Sequence, residues 1–193
     1  EEADLTNSLV LPYVPRFPRH VSYDLVLFGS WRRKGVYVGE KQIASPGSYP
    51  VAGFNFAPMY NLNYKLRFGV SLDGVYDGSA NVYTEDALVE YDAGSGSSRR
   101  KFLVPGIQNQ LALGLSGRAE YVMPFFTIGV GLGTNVMGRG NLRGLYQVFA
   151  LKINVTRSSF LHIGYNLQDF QTPNYLMLGL GFRFNNKYPK VRH

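Results

Sequence analysis

The chain has no cysteine among its 193 residues, so neither a disulfide framework nor a thiolate metal site is available to it. Three histidines, one of them terminal, leave little for a histidine metal cluster. No apolar run approaches the ~20 residues that a transmembrane helix needs, and long helix-forming runs are absent as well. The sequence as given opens at Glu1 without a charged-then-apolar leader, so the expectation is that any export signal is removed beforehand or never existed. What the chain does have is glycine (22), tyrosine (14) and phenylalanine (13), with a net charge of +7. Such a charge invites an anionic partner: nucleic acid, phosphate or an anionic membrane surface. The length suits one sizeable domain.

Residues 1–19 carry three prolines and no clean period, and read as an irregular arm. From His20 onward apolar residues alternate with polar or small ones, the period-two signature of strands. Val21, Tyr23, Leu25, Leu27 and Trp31 share one side of the first strand, with Ser22, Asp24 and Ser30 on the other and Val26 and Phe28 blurring the pattern. A second strand spans about 49–61, with Ala52, Phe54, Phe56 and Tyr60 opposite Gly53, Asn55 and Asn61. The third sets Tyr64, Leu66, Phe68, Val70 and Leu72 against Lys65, Arg67, Gly69, Ser71 and Asp73. The fourth, written from Ile107, sets Leu111, Leu113, Leu115, Ala119 and Tyr121 against Gln108, Gln110, Ser116, Arg118 and Glu120. The fifth has Phe126, Ile128, Val130 and Leu132 opposite Thr127, Gly129, Gly131 and Gly133. The sixth has Leu145, Phe149, Leu151 and Ile153 opposite Tyr146, Lys152 and Asn154. The last two come from FLHIGYNLQ and YLMLGLGFRF, where His162, Gly164 and Asn166 oppose Leu161, Ile163 and Tyr165. The connections 32–48 and 77–101 are long and polar, and VYTEDALVEY in the second has the look of a hairpin strand.

Several of these strands reach ten residues or more, whereas strands of ordinary globular proteins run to ~5–6. Long strands joined alternately by short turns and long loops match a transmembrane barrel. A soluble up-and-down barrel would instead turn its apolar face inward around a ligand. The polar face carries charges of both signs (Lys65, Arg67, Asp73, Arg118, Glu120, Lys152, Arg183) spaced by glycines, which suits opposed side chains pairing in a narrow lumen. Aromatic residues at strand ends (Tyr64, Tyr121, Phe126, Tyr165) suit an interfacial girdle. The fold expected is therefore all-β: an eight-stranded antiparallel up-and-down transmembrane β-barrel over 20–184, with an arm over 1–19 and a tail over 185–193. Closure satisfies every backbone group in lipid. The soluble barrel with an apolar ligand in its lumen is the alternative.

Basic residues gather in the long connections: Arg32, Arg33 and Lys34; Arg99, Arg100 and Lys101; Arg139 and Arg143. If the first strand rises from the periplasm, all lie at the outer rim, where guanidinium forks suit lipid phosphates. The partner is then outer-membrane lipid, lipopolysaccharide above all, and not nucleic acid. The acidic patch Glu85, Asp86, Glu90 and Asp92 is a solvated loop or a divalent-cation site. Gly129, Gly131 and Gly133 lack the following helix start that a phosphate loop requires. No cofactor and no metal is implied. His162, with Asn166 and Gln168 on its side and Asp169 at the following turn, is either a base or a satisfied structural residue.

The segments SYDLVLFGSWRRKG, VAGFNFAPMYNLN, LGLSGRAEYVMP, YQVFALKINVTRSSFLHIGYNL and PNYLMLGLGFRF resemble the lipid A 3-O-deacylase superfamily, and more closely the outer-membrane proteins labelled acyloxyacyl hydrolases in Bacteroidetes-type bacteria. The resemblance implies an eight-stranded barrel in the outer membrane of a Gram-negative bacterium. Hydrolytic members carry a His-x-Ser-Asn motif, followed further on by a glutamate near a Pro-Asn turn. His162 matches the histidine and Pro173-Asn174 match the turn. Gly164 stands in the place of the serine nucleophile, Tyr165 in that of the asparagine, and no Asp or Glu follows Asp169. A triad needs nucleophile, base and orienting group in reach of one another. The resemblance thus implies a degenerate hydrolase, the alternative being an active lipid A esterase in which His162 works with Ser158 or Ser159 and Asp169.

Overall fold

Alternation of apolar and polar residues over ten to thirteen positions builds long strands, and the computed structural model closes eight of them into a ring. The structure describes residues 16–32, 35–38, 41–44, 48–81, 83–92, 97–103, 106–138, 144–168 and 172–188. Its strands are β1 (His20–Arg32), β2 (Gly35–Val38), β3 (Lys41–Ala44), β4 (Tyr49–Asn61), β5 (Leu66–Asp77) and β6 (Tyr83–Asp92), followed by β7 (Ser97–Leu103), β8 (Leu111–Val122), β9 (Phe126–Met137), β10 (Leu145–Asn154), β11 (Ser159–Gln168) and β12 (Thr172–Phe184). The closed barrel runs β1-β12-β11-β10-β9-β8-β5-β4, and β4 returns to β1. Every neighbour is antiparallel.

Short turns at 62–65, 123–125 and 155–158 lie at one end, together with the start of β1 and the end of β12. Side chains fix these turns: Asn63 Oδ1 accepts from the amides of Lys65 and Leu66 at 2.8 Å each, and Thr156 Oγ1 accepts from the Ser159 amide at 3.0 Å. The long connections lie at the opposite end, here called the loop end. They carry strands of their own: β6 pairs with β7, in keeping with the hairpin look of VYTEDALVEY, and β2 with β3, which the polarity of 32–48 did not suggest. Two strand starts also differ from expectation. Ile107–Asn109 forms a 3₁₀ turn, so β8 begins at Leu111, and β5 begins at Leu66, leaving Lys65 exposed in the turn and not on the lumen face.

The outer surface is the apolar one. Leu27, Val70, Leu115, Leu132, Phe149 and Leu180 are each half or more exposed, and similar residues surround the whole ring. A continuous apolar belt of this kind far exceeds the few-hundred-Å² patches that water-soluble monomers tolerate, so its solvent is lipid and the strands cross a membrane. Tyr23, Tyr60, Tyr121, Phe126 and Phe184 ring the short-turn end as an aromatic girdle, while Tyr165 lies well within the belt, opposite Phe149 and Leu176. The soluble-barrel alternative fails on the same evidence, because the lumen is filled with charge.

That filling has a centre. Asp24 on β1 takes Arg67 of β5 at 2.6 Å, Lys152 of β10 at 2.8 Å and Arg183 of β12 at 2.9 Å. Glu120 on β8 takes Arg67 at 2.5 Å and Lys152 at 2.7 Å. Lys152 and Arg183 also lie over the Phe160 ring, 5.0 and 5.2 Å from its centroid, a contact that gains strength when desolvated. Small residues make the room: a Cβ at Gly181 would meet the Phe160 ring at 2.1 Å, and one at Gly131 would meet Arg118 Cδ at 2.7 Å. Higher in the lumen, Asp73 holds Arg118 at 2.9 Å and accepts from the Tyr146 hydroxyl at 2.6 Å. Below the charges, Phe17 packs against Tyr64 and Tyr188, and the ring of His20 accepts from the Lys187 amide at 3.2 Å, so the residues just before β1 and just after β12 meet over the short-turn end.

Removing one partner of a buried pair leaves the rest uncompensated, at about 3–5 kcal/mol. Asp24→Asn is therefore expected to lower stability by about that amount. The shift of the urea midpoint of the barrel in lipid vesicles, followed by Trp31 emission, measures it.

Candidate functional site

His162 is set by the alternation of β11, which sends Phe160, His162, Gly164 and Asn166 inward and Leu161, Ile163 and Tyr165 outward. Register places it beside Lys152 of β10 and Gly179 of β12. It is 2 % exposed, and neither ring nitrogen has a hydrogen-bond partner among the described residues. The imidazole leans over Gly164: a Cβ built there would lie 2.7 Å from His162 Nε2 and 2.6 Å from Met177 Cε. The ring thus points at residue 164, where glycine offers it no group to deprotonate.

Access is closed as well. On the short-turn side lies the layer of Asp24, Glu120, Arg67, Lys152 and Arg183, none more than 6 % exposed. Toward the loop end lie buried Met177, Ala150 and Val148. A general base needs its substrate proton within about 2.6–3.2 Å, or one water away, and among the described residues His162 has no such partner.

The substitute nucleophiles do not converge on His162. Ser158 is exposed in the 155–158 turn, and Ser159 Oγ is engaged with Thr156 Oγ1 at 2.8 Å. Asp169 lies outside the described residues, and Pro173-Asn174 fall on β12 with side chains that are not described. Of the basic groups, Arg32 donates to Asp77 at 2.8 Å. Arg33, Lys34, Arg139 and Arg143 lie outside the described residues, whereas Arg99, Arg100 and Lys101 lie on β7, their side chains undescribed. The acidic residues Glu85, Asp86, Glu90 and Asp92 lie on β6, also without described side chains. Among the described residues no group of three His, Asp or Glu side chains is arranged to hold a metal. Phe160 escaped the sequence reading, although its parity with His162 was the available signal.

Residues 21–186 match the family model described as acyloxyacyl hydrolase, C-terminal domain. The chain belongs to this acyloxyacyl hydrolase family. No curated protein sequence matches it. Among solved structures it is similar to Ail, the attachment invasion locus protein of Yersinia pestis, in complex with the heparin analogue sucrose octasulfate. That likeness has 15 % identity and a TM-score of 0.44, covering 85 % of this chain and 98 % of that one. A second structure of Ail from the same organism gives 16 % identity and a TM-score of 0.43 over the same shares. Within this fold His162 faces the lumen, with Gly164 beneath its ring.

An unsatisfied buried polar side chain costs about 1–3 kcal/mol. If His162 has no chemical task, His162→Leu should leave the barrel as stable as before or more so by up to about that amount. Heat-modifiable gel mobility and the urea midpoint test this, and a large destabilisation would show that the imidazole has an essential partner.

Proposed function

We propose that the protein is a bacterial outer-membrane barrel of the lipid A deacylase type that no longer hydrolyses ester bonds and meets lipopolysaccharide at its loop end. The observation that carries the loss of catalysis is the sealed pairing of His162 with Gly164, where Nε2 faces a position without a side chain. A nucleophile is absent there and a lipid ester cannot approach, two separate obstacles that no single substitution removes. Outer-membrane residence is supported by the apolar belt, the closed antiparallel barrel and the family.

Contact with lipopolysaccharide is supported by where chain order puts the basic groups. Arg32 ends β1, and Arg33 and Lys34 follow it; Arg99, Arg100 and Lys101 lie on β7; Arg139 and Arg143 lie between β9 and β10. All belong to connections at one end of the barrel, and paired or forked cations suit phosphate oxygens. Arg32 contributes less, since Asp77 already occupies one of its guanidinium nitrogens.

Mass spectrometry of lipid A after incubation of lipopolysaccharide with the purified barrel should show every acyl chain retained, with the Gly164→Ser variant equally inactive. Loss of an acyl chain that His162→Ala abolishes would overturn the non-catalytic reading. Neutralising Arg99, Arg100 and Lys101 to glutamine should weaken binding to lipopolysaccharide vesicles several-fold, with a smaller salt dependence than the parent, because exposed charges are screened within a Debye length of about 8–10 Å. Unchanged binding would remove these residues from the lipid site.

A further inference from the structure

We infer that the loop-end half of the lumen is a binding site for a hydroxyl-bearing arm of a neutral sugar. A cleft of about 30 Å³ opens there between the upper charge pair and the mouth of the barrel. One wall is aromatic: Phe28 and Tyr175 stack with centroids 6.2 Å apart and planes 17° from parallel. Amide side chains from three strands complete the lining: Asn55 of β4, with Asn166 and Gln168 of β11 and Asn135 of β9.

Asn55 specifies the ligand chemistry. It is 7 % exposed, its Nδ2 donates to Asp73 Oδ1 at 2.7 Å, and its buried Oδ1 has no partner among the described residues. The orientation of the amide is fixed, because a flipped group would set oxygen against the Asp73 carboxylate. Among the described residues nothing supplies that acceptor with a donor, which leaves it for a ligand. That donor has no reason to be a cation. Asp73 already accepts from Arg118 at 2.9 and 3.0 Å, from Ser71, from Ser116 at 2.7 Å and from Tyr146 at 2.6 Å, so its charge is compensated and its lone pairs are occupied. A neutral hydroxyl fits this demand, while the aromatic wall accepts the carbon skeleton that carries it.

Size narrows the reading further. Enclosed space of this volume holds roughly two waters, so a whole sugar ring does not enter. A hydroxymethyl arm does, with its ring standing outside the cleft on the loop-end side. Apolar walls with a few converging polar groups in a barrel mouth are a common form of ligand site. The same chemistry is offered by a free monosaccharide and by the saccharide portion of a glycolipid, and the site differs in place and chemistry from the phosphate contacts proposed above.

Saturation-transfer NMR on the full barrel in a sugar-free amine oxide detergent tests the inference, with methyl β-D-glucopyranoside and a phosphate-free oligosaccharide released from lipopolysaccharide as separate probes. Transfer to the hydroxymethyl protons is expected, with a dissociation constant on the order of millimolar for the monosaccharide. Tighter binding of the oligosaccharide assigns the site to glycolipid, and equal binding assigns it to free sugar. Asn55→Leu and, separately, Tyr175→Leu should each weaken binding at least tenfold in barrels that keep their heat-modifiable mobility. Absence of transfer from both probes would mean that Asn55 meets only a resident water, and transfer unaffected by both variants would place the sugar elsewhere. Either result overturns the inference.

Discussion

Asp24 is the constraint on which the rest of this barrel turns. One carboxylate on the first strand gathers cations from β5, β10 and β12, three strands that approach it from different parts of the ring. Burying ions is costly, and the cost is recovered only when each is paired and further hydrogen-bonded. Glu120 completes the pairing for Arg67 and Lys152, and Phe160 offers its ring face to Lys152 and Arg183. Positive charge exceeds negative by one in this set, which is where the aromatic face matters most. The glycines on the facing strands follow from the same demand, because long cationic side chains fit across a narrow barrel only where their neighbours have no side chain.

This arrangement decides what the interior is able to do. The lumen is packed with paired charges at one end and with Phe28, Val148 and Met177 further up. His162 sits between these layers, so its isolation is a property of the whole cross-section and not of one missing residue. Burial and the glycine at 164 describe what the imidazole meets on either side of it.

Much of the barrel was legible in the residues. Alternation identified the inward and outward sides of β1, β4, β5 and β8–β12, since a period of two leaves little freedom once one side must face lipid. The ends of the strands were less legible. Lys65 continues the alternation yet belongs to a turn that Asn63 caps, and Ile107 continues an apolar run yet starts a 3₁₀ turn. The hairpins β2–β3 and β6–β7 were partly hidden by their polarity, which in water is compatible with strand and loop alike. As for the site, the sequence located His162 on the polar side but not the lean of its ring over Gly164, nor the unmatched oxygen of Asn55. Both depend on rotamers set by neighbours from other strands, and periodicity does not encode those.

The seam between β1 and β12 closes the barrel with the two ends of the chain. Register sets Asp24 directly across from Arg183, residues 159 positions apart, and Asn185 then donates to the Val21 carbonyl at 2.6 Å. Contacts of such separation are slow to form, because a long loop must close before they contribute. The last strand therefore acts as an inspection of completeness. Until it arrives, the first strand keeps an open edge and Asp24 lacks one of its cations, so a chain that stops short of its final strand has no closed state in which to hide either from the membrane.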